Sequence, residues 1–208
     1  MRLIGMLDSP YVRRTAISLD LLGISFTHEA VSVFKDFEHF KTINAVVKAP
    51  TLVCDDGEVL MDSSLILQFI EAIQPLSLWS SDVKELQHEM RAVSLALAAC
   101  DKCVQLIYER NLRPANLHYE PWKTRVTQQI LAAFSALERE VALSRTAFEN
   151  TRSQASVTSA VVWQFAQSML STEISADLHP NLVQLSAGME MTPPFLRYQP
   201  QGPGVPAK

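Results

Sequence analysis

The sequence predicts a chain of two unlike halves, an α/β part built on a small mixed sheet followed by an all-α helical bundle. Three observations carry this prediction. Short apolar runs alternate with helical periodicities between positions 3 and 73. The character changes at Gln74-Pro75-Leu76-Ser77, and from Asp82 to Met191 long helical periodicities run without a convincing strand. The expected boundaries are 1–76 for the sheet domain, 77–81 for a linker and 82–208 for the helical domain.

Each element follows from its own residues. Leu3-Ile4-Gly5-Met6 is short, apolar and turn-bounded, as a buried strand is, and Ile17, Leu21 and Leu22 recur at helical spacing within a helix expected over 12–22. Ahead of that helix, Ser9 is a natural N-cap and Pro10 a natural first helical residue. A strand over 26–30, a helix over 37–43 and a strand over 51–54 come next. Asp55-Asp56-Gly57 then signals a hairpin into a strand over 58–61, and a helix over 64–73 closes the order β-α-β-α-β-β-α. In the second half, helices are predicted over 82–111, 119–144, 156–171 and 181–190. Arg113-Pro114, Glu120-Pro121, the polar stretch Asn150 to Gln154 and His179-Pro180 interrupt them. Five prolines after Thr192 predict an extended or loose tail.

Composition narrows the function classes. With 48% hydrophobic and 19% charged residues the chain has the make-up of an ordinary globular protein, and its formal charge of -4 argues against a nucleic-acid partner. No apolar run reaches the roughly 18 residues of a membrane span, and the start lacks the basic-then-apolar order of a secretory signal. Three cysteines, an odd number, suit a reducing compartment, so the expected location is cytoplasmic, away from membranes. No metal site is expected, because His28, His39, His88, His118 and His179 are scattered without ligand spacing. Cys100-Asp101-Lys102-Cys103 has the spacing of a redox pair but lies inside a long helix rather than at a helix N-terminus, so both thiols are read as core packing. Trp163, Phe165 and Met169 are read as core as well.

Three motifs in order carry a resemblance. They are Ser9-Pro10-Tyr11-Val12-Arg13-Arg14 after the first strand, Asn44 to Leu52 with Ala49-Pro50 before the third, and Asp62-Ser63-Ser64-Leu65-Ile66 opening the third helix. With this spacing, and with His179-Pro180-Asn181-Leu182 in the helical half, the chain resembles the cytosolic glutathione transferases, most closely a bacterial serine-type member. The resemblance implies a thioredoxin-like first domain, a cis Ala49–Pro50 bond and a homodimer. Its implied partners are glutathione, bound as substrate, and a small electrophile. It also implies a capping box at Ser156-Val157-Thr158-Ser159, with Ser159 where the family has aspartate.

Ser9 is the candidate catalytic residue. A free thiol titrates near about 8.5, so glutathione at neutral pH is mostly protonated and a poor nucleophile. A helix N-terminus offers unpaired amides and positive potential, and a serine hydroxyl placed there donates a hydrogen bond to sulfur. Tyr11 is the competing hydroxyl. The resemblance assigns the main chain of Ala49, before Pro50, to the cysteinyl unit of glutathione. It assigns Ser63 to the γ-glutamyl carboxylate and Asp62, where most relatives have glutamate, to the amine. Lys48 suits the glycyl carboxylate, a solvated lysine being the plain alternative, with Lys35 and His39 ranked below it. Tyr11, Tyr108 and Trp122 are candidates for the acceptor pocket. A serine at position 9 favours conjugation over disulfide exchange, since it forms no mixed disulfide. Isomerase or peroxidase activity, or a non-catalytic module that recruits a protein partner, are the alternatives.

Overall fold

The computed structural model describes residues 1–143, 148 and 150–206. The first half contains β1 (Arg2–Ile4), α1 (Pro10–Leu21), β2 (Thr27–Glu29), α2 (Phe37–Ile43), β3 (Thr51–Val53), β4 (Val59–Met61) and α3 (Ser63–Ile73). The strands form one sheet in the order β2-β1-β3-β4. β1 runs parallel to β2 and antiparallel to β3, and β4 is antiparallel to β3. The order of elements along the chain is the predicted one, and the sheet has the thioredoxin-like arrangement. Alternation along β1 sets the layers, because successive side chains leave a strand on opposite faces. Leu3 joins Leu52, its register partner on β3, in a core with Val12, Ala16 and Leu19 of α1 and Ile66 and Ile70 of α3. Ile4 instead packs with Val31 and Phe40, the buried residue of α2.

The second half contains α4 (Val83–Leu112), α5 (Glu120–Leu143), α6 (Gln154–Leu170) and α7 (Pro180–Glu190), with single 3-10 turns at Ala115–Leu117 and Ala176–Leu178. Asp82 caps α4 by accepting from the amides of Lys84 and Glu85, both at 3.0 Å. Its buried stripe includes Ala92, Ala96, Ala99, Cys100 and Cys103. Both cysteines are therefore core residues with free thiols, and burial pushes the Cys103 thiol up, which keeps it protonated and unreactive. The start of α7 is capped from another helix, since the Glu138 carboxylate accepts from the amides of Asn181 and Leu182, each at 2.9 Å. The expected end of the second helix, at position 144, lies outside the described residues. None of the described helices is long and apolar enough to cross a membrane.

Several expectations are corrected. Met169, read as core, is 38% exposed. The N-cap of α6 is Ser153, three residues ahead of the predicted Ser156, and its own amide donates to the Asn150 carbonyl. Ser153 Oγ accepts from the Ser156 amide at 3.0 Å and donates to Ser156 Oγ at 2.9 Å, so α6 starts at Gln154. Both serines are chemically competent caps, and only the backbone path chooses between them. The tail is neither extended nor loose at its start, because Pro193–Arg197 forms a short helix, α8, with Pro193 in its first turn.

Thr192 to Gly204 belongs to the same compact unit as Met1 to Leu78, whereas Trp79 to Met191 and the residues from Val205 on form the other. The tail thus leaves the segment 82–208 in which the sequence places it, and Leu78, expected in the linker, packs into the first unit's core. Phe195 is 1% exposed, with the Arg13 guanidinium 5.1 Å from its ring centroid. Arg13 Nε donates to the Tyr198 carbonyl at 2.8 Å, and Tyr198 stacks on Phe26. Farther on, the Asp8 amide donates to the Gln201 carbonyl at 3.0 Å and the Gly204 amide to Asp8 Oδ2 at 2.8 Å. Burial raises the Asp8 carboxyl above its ordinary value, against the lowering effect of the amides of Gly204, Ser9 and Asp8 itself.

Gly202 is needed in this strap, since a Cβ there would lie 2.0 Å from Asp8 Oδ2. Gly202→Ala should destabilise the protein by about 1 to 3 kcal/mol, the scale of overpacking a closed contact, and open the tail to proteolysis. A denaturation curve and a limited digest that match the parent's would show that the tail does not bear on Asp8.

Candidate functional site

The site starts at the turn between β1 and α1. Ser9 has extended backbone angles, its carbonyl accepts from the Arg13 amide at 2.9 Å, and Pro10 fills the first helical position. Its Oγ accepts from the Val12 amide at 3.5 Å, a long and weak capping bond. Capping therefore leaves the hydroxyl nearly unengaged as an acceptor, and among the described residues nothing accepts its proton. That proton sits at the positive end of a twelve-residue helix. Tyr11, the competing hydroxyl, lies within the first turn, half-buried.

Two further segments meet this turn. Gly5, at φ 138, lets α1 and the loop before β3 close onto the strand end: a Cβ there would lie 2.6 Å from Val12 Cγ2 and 3.0 Å from Ala49 Cβ. Ala49 thus sits against the start of α1. The loop that holds it is tied by buried Asn44, whose Nδ2 donates to Thr51 Oγ1 at 2.8 Å and whose Oδ1 accepts from the Val46 amide at 3.0 Å. Thr51 Oγ1 donates to the Lys48 carbonyl at 2.7 Å. The Ala49–Pro50 bond is cis. Val47 at φ 52 and Asp62 at φ 72 adopt left-handed backbone angles. For residues other than glycine such angles cost on the order of 1 to 3 kcal/mol each and persist where the surroundings enforce them.

Asp62 caps α3, its Oδ1 accepting from the Ser64 amide at 2.9 Å. Its Oδ2 accepts from Lys48 Nζ at 3.3 Å, which joins α3 to the loop before Pro50. The pair is about half exposed and contributes no more than about 1 kcal/mol. Burial acts to raise the Asp62 carboxyl, but the Ser64 amide and the Lys48 ammonium outweigh it and hold the group below its ordinary value. Asp62 is therefore ionised at neutral pH. The stability it contributes is present above the ordinary carboxylate value and is lost as the pH falls through the lowered one. Ser63, in the first turn of α3, is 3% exposed.

Sequence reasoning overlooked the group that links these segments. Arg14 of α1 is 2% exposed, and its Nη1 donates to Ser63 Oγ at 3.0 Å and to Ser64 Oγ at 3.3 Å. The available signal was a charged residue on the face of α1 that also carries the buried Ile17. Thus the structure brings together Ser9, Lys48, Ala49, Pro50, Asp62 and Ser63. Lys35 and His39 are exposed on the loop before α2 and on α2, and among the described residues neither side chain makes a hydrogen bond or ion pair to this group. Tyr108 and Trp122 belong to the second unit, on α4 and α5, 38% and 39% exposed. A cavity of about 380 Å³ in that unit, lined by Val141, Phe148, Gln184 and Met189 among others, includes none of the predicted residues. Among the described residues, no cluster of three His, Cys, Asp or Glu side chains is placed to hold a metal ion.

Comparisons with known proteins bear on the fold. Residues 3–78 match the family described as "Glutathione S-transferase, N-terminal domain". Residues 3–78 thus match a glutathione S-transferase N-terminal domain, and the two-part architecture is similar to the fold of solved glutathione S-transferases. The Escherichia coli protein called "Uncharacterized GST-like protein YibF" is 34% identical over 71 residues, a match spanning 34% of this chain and 35% of the relative. A glutathione S-transferase from Methylobacterium radiotolerans, solved in complex with glutathione sulfonate, has a TM-score of 0.89 at 24% identity, covering 100% of this chain and 98% of its own. A family member from Pseudomonas fluorescens with bound glutathione has a TM-score of 0.83 at 23% identity, with 97% and 99% covered. At these identities the likeness to solved structures is one of fold.

Gly5→Ala tests whether strand, helix and loop are pressed together as described. The substitution should cost about 1 to 3 kcal/mol, through the collision with Val12 and the positive φ. A parent-like denaturation midpoint would mean that Ala49 and α1 are not held in contact by this strand end.

Proposed function

We propose that the protein is a serine-type glutathione transferase that ionises the thiol of glutathione and conjugates it to a small electrophile. The observation that carries this reading is Ser9, a hydroxyl whose proton finds no acceptor among the described residues, at the N-terminus of α1, whose Val12 and the loop residue Ala49 both close on Gly5. Related folds hold glutathione or glutathione sulfonate, which supports the choice of ligand. In this reading the Ser9 hydroxyl and the first amides of α1 face the sulfur, and the main chain of Ala49 pairs with the cysteinyl unit. Ser63 takes the γ-glutamyl carboxylate and Asp62 the neighbouring ammonium. Lys48 turns to the glycyl carboxylate. The exposed Lys48–Asp62 pair makes this exchange inexpensive, because each partner trades a weak contact for a ligand charge of the same sign as the one it gives up.

The chemistry needs the thiolate. Lowering the thiol pKa by about two units requires roughly 2.7 kcal/mol of preferential stabilisation of the anion, within reach of one preorganised donor and oriented amides in a partly desolvated site. The thiolate then attacks the electrophilic carbon, its sulfur–carbon bond forms, and the leaving group departs with the electron pair. The family's dimeric assembly belongs to the same reading, and light scattering reports on it.

Calorimetry with reduced glutathione at millimolar concentration, followed by a conjugation assay with an activated aryl halide, tests the proposal. Binding and turnover are both expected, and Asp62→Asn should weaken binding by about 1 to 3 kcal/mol, the range for losing a charge-assisted hydrogen bond. Absence of binding by folded protein would overturn the reading. Binding without turnover, for glutathione with any of several electrophiles, would favour the non-catalytic module.

A further inference from the structure

Helix α1 buries two consecutive arginines, Arg13 at 1% exposure and Arg14 at 2%. A buried guanidinium keeps its charge and must be satisfied by neighbours, so each calls for a specific account. Arg13 holds the tail, through the Tyr198 carbonyl and the Phe195 ring. Arg14 turns the other way, and its Nη1 donates to the hydroxyls of both Ser63 and Ser64 at the start of α3.

We propose that Arg14 is a positioning residue for the carboxylate end of the ligand, acting through Ser63. The inference rests on the reading above, in which the γ-glutamyl carboxylate of glutathione meets Ser63. A hydroxyl has one proton to donate and two lone pairs to accept with. Because Arg14 occupies a lone pair of Ser63 Oγ with an N–H, the Ser63 proton cannot be directed at the guanidinium and is aimed elsewhere, as a donor to an incoming anion. Ser63 is 3% exposed, so protein neighbours rather than bulk water set the orientation of this rotor. The guanidinium also places a full positive charge behind the first turn of α3, where the helix amides already favour an anion. A buried charge acts on a neighbouring anion with less screening than an exposed lysine such as Lys48. One side chain thus fixes the start of α3 to the helix that begins at Ser9, and with it the spacing between the carboxylate end and the thiol end of the ligand.

The test compares glutathione with its analogue lacking the α-carboxylate, 4-aminobutyryl-cysteinyl-glycine, by calorimetry on full-length parent, Arg14→Gln, Arg14→Lys and Ser63→Ala proteins, each checked for a cooperative melt. Arg14→Gln should lose on the order of tenfold or more in glutathione affinity and little for the analogue, so the ratio of the two affinities collapses. Arg14→Lys keeps the charge without the planar guanidinium whose Nη1 is set between both hydroxyls, and should recover part of the ratio. It also serves where Arg14→Gln does not fold, an intermediate ratio supporting the proposal and a parent-like one opposing it. In the Arg14→Gln background, Ser63→Ala should add less than it does alone, as expected of two groups acting through one another. A ratio equal to the parent's in both Arg14 variants would overturn the inference while leaving glutathione binding intact. A parent that binds neither compound would instead remove the reading on which it rests.

Discussion

Helix α1 must begin within a few residues of the end of β1, and the turn that makes this possible determines where every other part of the site can be. Gly5 bends the chain at φ 138, so that α1 lies against the strand end and the Ala49 loop closes from the other side. Ser9 then enters the helix as its cap, with Pro10 fixing the first helical angle. A hydroxyl held here is close to the amides that a helix leaves unpaired, yet its own capping bond is long, 3.5 Å to the Val12 amide. The same side chain therefore closes a helix and keeps a proton to give. Asp8, its neighbour, is clasped by the tail at Gln201 and Gly204, so the turn is supported from both ends of the chain.

The three segments that meet at this turn carry unfavourable features that ordinary packing would not select. Val47 and Asp62 hold left-handed backbone angles, and Arg14 is buried with its charge. Each is compensated locally. Asn44 and Thr51 tie down the loop, the Ser64 amide and Lys48 hold Asp62, and the hydroxyls of Ser63 and Ser64 receive Arg14. The core beneath, built from Leu3, Val12, Leu19, Leu52, Ile66 and Ile70, supplies the stability against which such strain is tolerated, at roughly 1.5 to 3 kcal/mol for each large side chain fully buried. These ties fix the loop and the start of α3 by contacts within the protein itself, as preorganised donors require.

Much of this was legible in the residues themselves. The alternation of short apolar runs and helical periodicities gives the strand and helix order of the first half, and α2 over 37–43 appears with its predicted bounds. Ser9 and Pro10 announce the start of α1 because capping is a local interaction. What was not legible depends on contacts between distant parts of the chain. Five prolines suggest a loose tail, yet Phe195 and Tyr198 dock on Arg13 and Phe26, residues nearly the whole chain away. Ser153 and Ser156 are equally good caps by residue type, and the backbone path decides for Ser153. Arg14 stood within a quoted motif, but a charge on a helix reads as solvated until the partner that buries it, Ser63 on α3, is known. Lys35 and His39, placed near the ligand by resemblance, are exposed on the loop before α2 and on α2.

The account turns on whether Ser9 does more than cap α1. Ultraviolet titration of glutathione bound to the parent and to Ser9→Gly measures this directly, following thiolate absorbance over about pH 5 to 9 against protein and peptide alone. Glycine is itself a tolerable N-cap, so the fold should lose only a few tenths of a kcal/mol. The bound thiol of the parent should titrate about two units below its free value of about 8.5, and that of Ser9→Gly should return toward it, with neutral-pH turnover falling about 10²-fold. A bound thiol that titrates identically in the two proteins would contradict the account and reduce Ser9 to a helix cap.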